Sequence, residues 1–324
     1  SLTGINYASN VAMQKVFAAN NGGQSLGSTP NDGLVYGDKM YVVVDGSNTV
    51  EVINKKTMQR IKQIKTTELL GAAEGKSPRH IIAGNGHIFF TTYGGYVAAV
   101  DTVNFKLTAK YKVGSYPEGL AGYASSIVVA NSDYAKGHGN ISIINLGTGE
   151  VETRNVEGIN NPQKVFINNG NVYILDWVYY EGEYPNSVEK GESAIKYLAG
   201  NKATKVTDAY YASMLNGKLY IISNPYAVAK YSVCDLNSNP YQGTTTPLNL
   251  SEGVFSPAGI DVDPATGEIF VLSYNQGENG YADYYSNGYV KRYSKNGSYM
   301  YSYDTGVGPC AVFFNVGVKT ILDN

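Results

Sequence analysis

Residues 30–54 read PNDGLVYGDKMYVVVDGSNTVEVIN, and this stretch contains three short apolar runs separated by turn residues. Pro30 precedes the first run, a Gly-Asp turn at 37–38 precedes the second, and the third run covers Thr49 to Ile53. Short runs rich in Val, Ile and Tyr between Gly, Asn and Asp residues are typical of β-strands. The stretch therefore predicts consecutive strands that are joined by tight turns.

The same unit recurs along the chain with a period of about 46 residues, the spacing of a propeller or a similar array. A proline precedes a short apolar run at Pro30, Pro78, Pro117, Pro162, Pro257 and Pro309. Ala209 stands at the corresponding position in the one gap of double length. A third strand and a more polar fourth strand follow within each unit, as in Arg60 to Ile64. If the interval from Pro309 through the ends of the chain to Pro30 is also counted, the units number seven.

These units predict an all-β fold, a seven-bladed β-propeller with four-stranded antiparallel blades. We expect residues 1–324 to form this single domain. The last blade would be closed by strands from both ends of the chain, which would hide unpaired strand edges. Those strands are Gly4 to Tyr7, Ala12 to Phe17, Cys310 to Phe314 and Lys319 to Leu322. A two-domain all-β protein is the alternative.

The composition excludes several classes of protein. The 324 residues carry a net charge of −2, so we expect no nucleic-acid partner. No apolar run approaches the roughly 18 residues of a transmembrane helix. Cys234 and Cys310 cannot form a disulfide framework, and we expect both to be buried small residues. We expect any export signal to lie on residues outside this sequence.

Loop lengths indicate where a binding site would lie. In a four-stranded meander, the connection after the second strand and the connection between blades emerge at the same end. Nearly every long insert falls in this set, namely residues 131–139, 176–192 and 274–287. Long loops gathered on one end of a rigid scaffold usually carry function. We therefore predict a ligand-binding surface at that end.

The candidate ligand-binding residues are aromatic and polar side chains of these segments. Tyr and Trp offer large, stiff contact area together with one polar atom. The aromatic candidates are Tyr93, Tyr116, Trp177, Tyr179, Tyr226 and Tyr274. The polar candidates, which follow the repeat prolines or end the second strands, are Asn31, Arg79, His80, Glu118, Asn131, Gln163, Asp176 and Asn224. The alternative for each residue is a structural role, in which it packs a loop, caps a strand end or binds channel water.

Catalysis has less support in the sequence. His80 and His138 are candidates for a base or for metal ligands, and Glu118 could complete a three-ligand site. Nothing in the sequence pairs a nucleophile with a base, so we assign no catalytic residue, no metal and no cofactor. A lyase or hydrolase centred on His80 remains an alternative. The acid-rich loop that contains Glu181 and Glu192 lacks the alternating Asp pattern of an EF-hand, so we interpret it as a solvated loop rather than a Ca²⁺ site.

The blade pattern resembles that of the YVTN-type seven-bladed propellers. The resemblance is carried by an apolar strand, an Asn-Gly turn, a Leu-Tyr-Ile run and a Val-x-Val-Ile-Asn strand. Tyr41 to Met58 gives the best match, with Val50 to Asn54 as its last strand. The abundance of Tyr and Asn, with long inserts in some blades only, is similar to the cell-surface (surface-layer-like) propeller lipoproteins of Bacteroides-type bacteria. Some members of that group capture corrinoids such as vitamin B12.

This resemblance implies a non-enzymatic surface protein that captures a corrinoid, as a ligand rather than a cofactor. It would hand the ligand over to a TonB-dependent transporter in the outer membrane. The protein would lie at the cell surface, held by a lipid anchor on residues outside this sequence. The amides and mixed charges around the channel mouth suit a neutral, amide-bearing ligand. A glycan- or protein-binding adhesion module that uses the same face is the alternative.

Overall fold

The computed structural model describes residues 1–316 and shows six four-stranded antiparallel blades around a central channel. Within every blade the strands pair in chain order, so each blade is one continuous stretch of the chain. The first strands of blades 1 to 4 contact one another in turn, as do those of blades 5 and 6, and together they line the channel.

The strands of the blades follow the repeat found in the sequence. Blade 1 consists of Pro30–Tyr36, Lys39–Val44, Thr49–Asn54 and Arg60–Lys65. Blade 2 consists of Pro78–Gly84, His87–Thr92, Tyr96–Asp101 and Leu107–Lys112. Blade 3 consists of Pro117–Tyr123, Ser126–Asn131, Asn140–Asn145 and Val151–Arg154. Blade 4 consists of Pro162–Asn168, Asn171–Asp176, Ala194–Ala199 and Lys202–Asp208. Blade 5 consists of Tyr211–Leu215, Lys218–Ser223, Lys230–Asp235 and Thr244–Pro247. Blade 6 consists of Ser256–Val262, Ile269–Gln276, Asn287–Tyr293 and Tyr299–Val307.

Several short helices and strands lie outside the four-stranded blades. A hairpin near the start of the chain pairs Gly4–Asn6 with Val11–Met13, and helices cover Val16–Asn20 and Thr66–Leu70. A two-stranded ribbon, Tyr179–Glu181 paired with Val188–Lys190, projects from blade 4. The added strand Ala282–Asp283 extends blade 6. Single 3-10 turns cover Asp45–Ser47 and Asp133–Ala135. No helix within residues 1–316 is long and apolar enough to cross a membrane.

The predicted seventh blade is wrong. The N-terminal hairpin strands pair only with each other, and residues 310–314 form no strand. The predicted strand from Lys319 to Leu322 lies outside the described residues. Pro309 therefore resembles a blade start in sequence without being one. The six blades leave a seam between blade 6 and blade 1, and side chains of the terminal segments pack into it.

The C-terminal segment covers the junction between blade 6 and blade 1. Phe313 packs on the apolar cluster of blade 1, and Phe314 meets Phe270 of blade 6 with ring centroids 5.3 Å apart. The backbone N–H of Val312 donates a hydrogen bond of 3.0 Å to Asp261. Side chains therefore close the ring at this point, instead of the shared strands that the sequence predicted.

The N-terminal hairpin packs on blade 6. The Tyr7 hydroxyl donates to Asp263 at 2.6 Å, and Arg292 donates from Nη1 to the Tyr7 carbonyl at 2.7 Å. Gln14 donates to the carbonyl of Thr305 at 2.9 Å. These contacts join residues almost 300 positions apart, so they hold the start of the chain to its last blade.

The hydrophobic core is divided between the faces of adjacent blades. Apolar clusters lie between blades 1 and 2, 2 and 3, 3 and 4, 4 and 5, and 5 and 6. At the seam two clusters replace a single one. The first joins blade 1 to Phe17, Leu26 and Phe313, and the second joins blade 6 to Ile5 and Phe314. Burial of apolar side chains between blades thus holds neighbouring sheets together, along with hydrogen bonds such as that from the Thr91 hydroxyl to the Glu118 carbonyl.

The antiparallel meander places all connections after second strands, and all connections between blades, at one end of the ring. We call this the loop-rich end. The turns after first and third strands emerge at the opposite end, and the first-strand turns are short, as at Gly37 and Gly86. The predicted separation of long inserts from short turns follows from this topology, and it positions the candidate site.

Candidate functional site

A group of polar side chains from blades 1 to 3 meets at the mouth of the channel. We call it the mouth cluster, and its members are Asn31, Asp32, Asp45, Arg79, His80, Tyr93 and Glu118. The first strands of these blades begin at the loop-rich end, so the residues just after the repeat prolines lie side by side there. Asp45 and Tyr93 join them because each directly follows a second strand.

Arg79 is the centre of the mouth cluster. Its Nη1 lies 2.6 Å from Asp45 Oδ2, its Nε lies 2.9 Å from Glu118 Oε2, and its guanidinium lies 4.7 Å from the centre of the Tyr93 ring. The Glu118 side chain is only 5% exposed. Desolvation by burial acts to lower the pKa of Arg79, but the neighbouring Glu118 carboxylate and its hydrogen bonds raise it above its usual range. Arg79 therefore remains a fixed positive charge whose donors are engaged within the protein.

His80 lies between two carboxylates. Its Nδ1 is 3.0 Å from Asp32 Oδ2, and its Nε2 is 3.8 Å from Glu118 Oε2. The Tyr93 hydroxyl donates a short hydrogen bond to the other oxygen of Glu118. Desolvation and then the Glu118 charge raise the pKa of Tyr93, so its hydroxyl remains protonated. The cluster therefore forms a closed network of ion pairs and hydrogen bonds.

Cys310 borders this network and is not the buried residue that we expected, although Cys234 is buried. Its Sγ lies 3.4 Å from the carbonyl oxygen of Pro30, at the channel wall. The side chain reaches channel solvent, but desolvation by the surrounding protein and then the Asp32 carboxylate raise the pKa of the thiol to about 11. Because the thiolate is the nucleophilic form, this environment opposes reactivity at neutral pH.

Three tyrosines form a stack beside the mouth cluster. Tyr116 lies 5.0 Å from Tyr93 and 5.0 Å from Tyr134, measured between ring centroids. Tyr134 is 62% exposed, whereas Tyr93 is covered by the guanidinium of Arg79. The stack therefore extends from the polar mouth to solvent.

A larger aromatic group covers blades 4 to 6. We call it the aromatic platform, and its members are Trp177, Tyr210, Tyr211, Tyr226, Tyr274 and Tyr284. Trp177 stacks on Tyr210 at 4.5 Å, and its Nε1 donates to the Tyr210 carbonyl at 2.7 Å. Tyr226 stands perpendicular to Tyr210, with the two hydroxyls 3.1 Å apart. Tyr284 meets Tyr274 at 4.8 Å.

Burial and neighbouring tyrosines raise the pKa of two tyrosines of the platform. Burial is the main cause that raises the pKa of Tyr211, and Tyr226 and Tyr274 contribute to it further. Burial likewise raises the pKa of Tyr274, with a contribution from Tyr226. Tyr211 and Tyr274 are therefore neutral at physiological pH.

The structure thus brings most of the predicted candidates into two groups on one end. The mouth cluster and its tyrosine stack contain Asn31, Arg79, His80, Tyr93, Tyr116 and Glu118. The platform contains Trp177, Tyr226 and Tyr274. Asn31 joins the mouth cluster through a hydrogen bond of 2.6 Å from its Nδ2 to the carbonyl oxygen of Arg79.

The remaining candidates have partners within their own loops and blades. Asp176 is fully buried and pairs with Lys196 at 2.8 Å. The Asn131 amide donates to side chains of its own blade, and Gln163 donates to Asn161. Asn224 has a left-handed backbone with φ 60° at a turn, and the Tyr179 hydroxyl donates to Glu181 at 3.3 Å. The contacts of Asn131, Gln163, Asp176 and Tyr179 favour structural roles for these four side chains, and ligand binding by any of the five residues stays a prediction.

Sequence reasoning left three residues out of the candidate set. Asp32 follows Pro30 at the same distance as His80 follows Pro78. Tyr210 and Tyr211 follow Ala209, which replaces the proline in blade 5. Their repeat positions were therefore a usable signal. No set of three or more His, Cys, Asp and Glu side chains in the part of the chain that the structure describes is arranged to hold a metal ion.

The channel also contains a cavity of about 190 Å³ between blades 4 and 5. Its lining includes Lys164, Phe166, Ser213, Met214 and Asp261. Desolvation raises the pKa of Asp261 to about 6, while the nearby Lys164 acts in the opposite direction. The cavity is smaller than the roughly 300–1,000 Å³ of sites for drug-sized ligands, so the loop-rich end is the better candidate.

Comparisons with known proteins give a family and a fold. A family model described as "Domain of unknown function (DUF5074)" matches residues 1–314. No curated protein matches the chain. Streptogramin B lyase is similar in structure, with a TM-score of 0.58, 12% identity and coverage of 89% of this chain and 87% of that one.

Two further structures are similar at the same level. Hydrazine synthase of Kuenenia stuttgartiensis gives a TM-score of 0.56 at 12% identity, with 83% of this chain and 77% of that chain covered. The computationally designed Ika8 protein gives 0.54 at 10% identity, with 90% and 93% covered. At these identities the similarities support the β-propeller fold alone.

Proposed function

We propose that this chain, which belongs to the family described as "Domain of unknown function (DUF5074)", is a non-enzymatic protein that captures a small molecule at its loop-rich end. The distribution of exposed tyrosines is the observation that supports this proposal. At the loop-rich end they are Tyr134, Tyr180, Tyr184, Tyr226, Tyr281, Tyr284 and Tyr285. At the opposite end, among the described residues, they are Tyr123, Tyr241 and Tyr299, and Tyr301 lies near that end on the outer strand of blade 6. Clustered exposed aromatic area of this kind marks a binding surface.

The polar chemistry favours binding over catalysis. Arg79, Glu118 and Tyr93 are engaged with one another, so the mouth cluster is a rigid support rather than a set of free acids and bases. His80 is held by Asp32, and the neighbouring Cys310 thiol is disfavoured as a nucleophile because its pKa is raised to about 11.

A corrinoid is our candidate ligand. Rings on both sides of the mouth, in the Tyr134 stack and around Tyr226, offer contacts to a broad and partly apolar ligand with polar groups at its edge. The resemblance to corrinoid-capturing surface propellers supplies the specific candidate. On this proposal the protein lies at the cell surface, held by a lipid anchor, and passes the corrinoid to a TonB-dependent transporter in the outer membrane.

Titration calorimetry with cyanocobalamin tests this function. We expect binding, and we expect Tyr134→Ala and Tyr226→Ala each to weaken it about fivefold or more, because buried aromatic contacts dominate binding energy. Tyr123→Ala and Tyr241→Ala are matched controls, since these side chains are 51% and 59% exposed at the opposite end. Both controls should bind like the wild type.

Two results would contradict the proposal. If cyanocobalamin does not bind, the corrinoid is not the ligand. Binding assays with a glycan panel, run in parallel, would then test the adhesion alternative. If the control variants weaken cyanocobalamin binding as much as Tyr134→Ala and Tyr226→Ala do, the binding site is not at the loop-rich end. Glycan binding should need Trp177 or neighbouring Tyr residues, and in the structure the Trp177 ring stacks on Tyr210 and its N–H donates to the Tyr210 carbonyl.

A further inference from the structure

The chain covers several of its own aromatic faces with its own cations. Within residues 1–316 these pairs join Arg60 to Phe17, Arg79 to Tyr93, Lys110 to Tyr96, Lys291 to Tyr299 and Arg292 to Tyr7. The distances from cation to ring centre run from 4.7 to 5.4 Å. Cations take these positions because the face of an aromatic ring carries negative electrostatic potential.

The aromatic platform has no such internal cation in the described part of the chain. No lysine or arginine lies over Trp177, Tyr210, Tyr211, Tyr226, Tyr274 or Tyr284 there. Tyr226 is nevertheless 70% exposed, and Tyr284 is 54% exposed. The platform thus exposes Tyr226 and Tyr284 to solvent with no internal cation over either ring.

The charge beside the platform has the sign that a cation requires. Glu189 lies on the blade 4 ribbon and accepts a hydrogen bond of 2.9 Å from the Tyr180 hydroxyl. It lies opposite Tyr180 in that ribbon, which begins two residues after Trp177 of the platform. Within residues 1–316 Glu189 forms no ion pair, whereas Glu192 of the same loop pairs with Lys205 at 2.8 Å. The platform is thus bordered by an uncompensated negative charge.

We propose that the aromatic platform and Glu189 bind a small organic cation of the alkylammonium class. The rings would receive the cation over their faces, with Tyr226 as the most accessible wall, and Glu189 would supply the counter-charge. Recognition of quaternary ammonium groups by aromatic side chains follows this pattern. Both proposals use Tyr226, but they can be tested separately, because this one requires positive charge on its ligand and cyanocobalamin capture does not.

Choline and its uncharged isostere 3,3-dimethyl-1-butanol provide the test. The two molecules share their shape and differ in charge, so calorimetry or ligand-observed NMR with the intact chain isolates the electrostatic part of binding. We expect choline to bind about tenfold more tightly, within the range of cation–π energies for partly exposed sites. The same protein is titrated with cyanocobalamin, so the failure of one proposal is distinguishable from the failure of the other.

Variants locate the site. Tyr226→Ala should weaken choline binding at least about fivefold, whereas Tyr226→Phe should retain it because the ring is kept. Glu189→Gln should weaken choline and leave the neutral isostere unchanged. Tyr241→Ala, at the opposite end, should have no effect. Equal binding of choline and the isostere, no choline binding at millimolar concentration, or equal loss in Tyr241→Ala would each overturn the proposal.

Discussion

Replacement of Lys196 by Met should destabilise the protein strongly. Lys196 Nζ lies 2.8 Å from Asp176 Oδ2 and 2.7 Å from the carbonyl oxygen of Gly158. The two charged side chains are 6% and 0% exposed. Met retains most of the volume of the lysine stem, so the main loss is the charge partner. Removal of one partner from a buried ion pair costs about 3–5 kcal/mol because the other charge stays buried and unpaired.

The pH dependence gives this prediction a second signature. Burial raises the pKa of Asp176, and Lys196 opposes that rise. Without Lys196, the native state should hold the Asp176 proton to a higher pH than the unfolded chain does. The free energy of unfolding of the variant should therefore fall as pH rises above the unfolded value of about 3.9. The double variant with Asp176→Asn should recover part of the loss.

Urea and thermal unfolding followed by tyrosine fluorescence provide the measurement. At about 2 °C per kcal/mol for a chain of this size, Lys196→Met should lower Tm by about 6–10 °C. Lys205→Met is the control, because Lys205 is 42% exposed and its ion pairs lie at the surface. It should cost less than about 1 kcal/mol. A loss for Lys196→Met no larger than that of the control would refute the structural role given to Asp176, and would restore it as a ligand-binding candidate.

Three further predictions concern the seam, the channel and the mouth. Phe313→Ala should lower the free energy of unfolding by about 2 kcal/mol, since its ring is half-buried against blade 1; urea unfolding unchanged from wild type would show that the seam does not depend on it. The pKa of Asp261 is raised to about 6, so the native state binds its proton more tightly, and stability should fall as pH rises from about 4 to 6, by at most about 3 kcal/mol. Asp261→Asn should flatten that part of the pH profile of Tm, and an unaltered profile would contradict the assignment. Glu118→Gln should cost about 2–4 kcal/mol, because Arg79 would lose one of two carboxylate partners; a loss as small as that of a surface ion pair in denaturant unfolding would contradict the closed network.

The repeat itself could be predicted from the sequence. Blades 1 to 4 begin at a repeat proline, blade 6 begins one residue before Pro257, and blade 5 begins two residues after Ala209. The blade count failed because Pro309 is followed by the same apolar pattern, but residues 310–314 form no strand. Whether a short apolar segment pairs as a strand or packs its side chains into a seam depends on neighbours that are distant in sequence, so local pattern does not decide it.

The candidate site could be predicted from the sequence in part. Positions after the repeat prolines correctly grouped Arg79, His80 and Glu118. Polar residues at the ends of second strands were ambiguous, since Asp45 reaches Arg79 of the next blade whereas Asp176 turns into its own blade. A side chain moves to the other face of a sheet with a shift of one residue, and sequence alone does not fix that shift at a strand end.

The way in which the ring closes has a consequence for biosynthesis. Because each blade is one continuous stretch, its hydrogen-bonded partners are synthesised within about 50 residues of one another. Blade 1 can therefore mature on the ribosome long before Phe313 emerges, whereas an interlocked ring would leave its first strands waiting for the last. Exposure of unpaired strand edges in the nascent polypeptide, which invites aggregation, is thereby shortened.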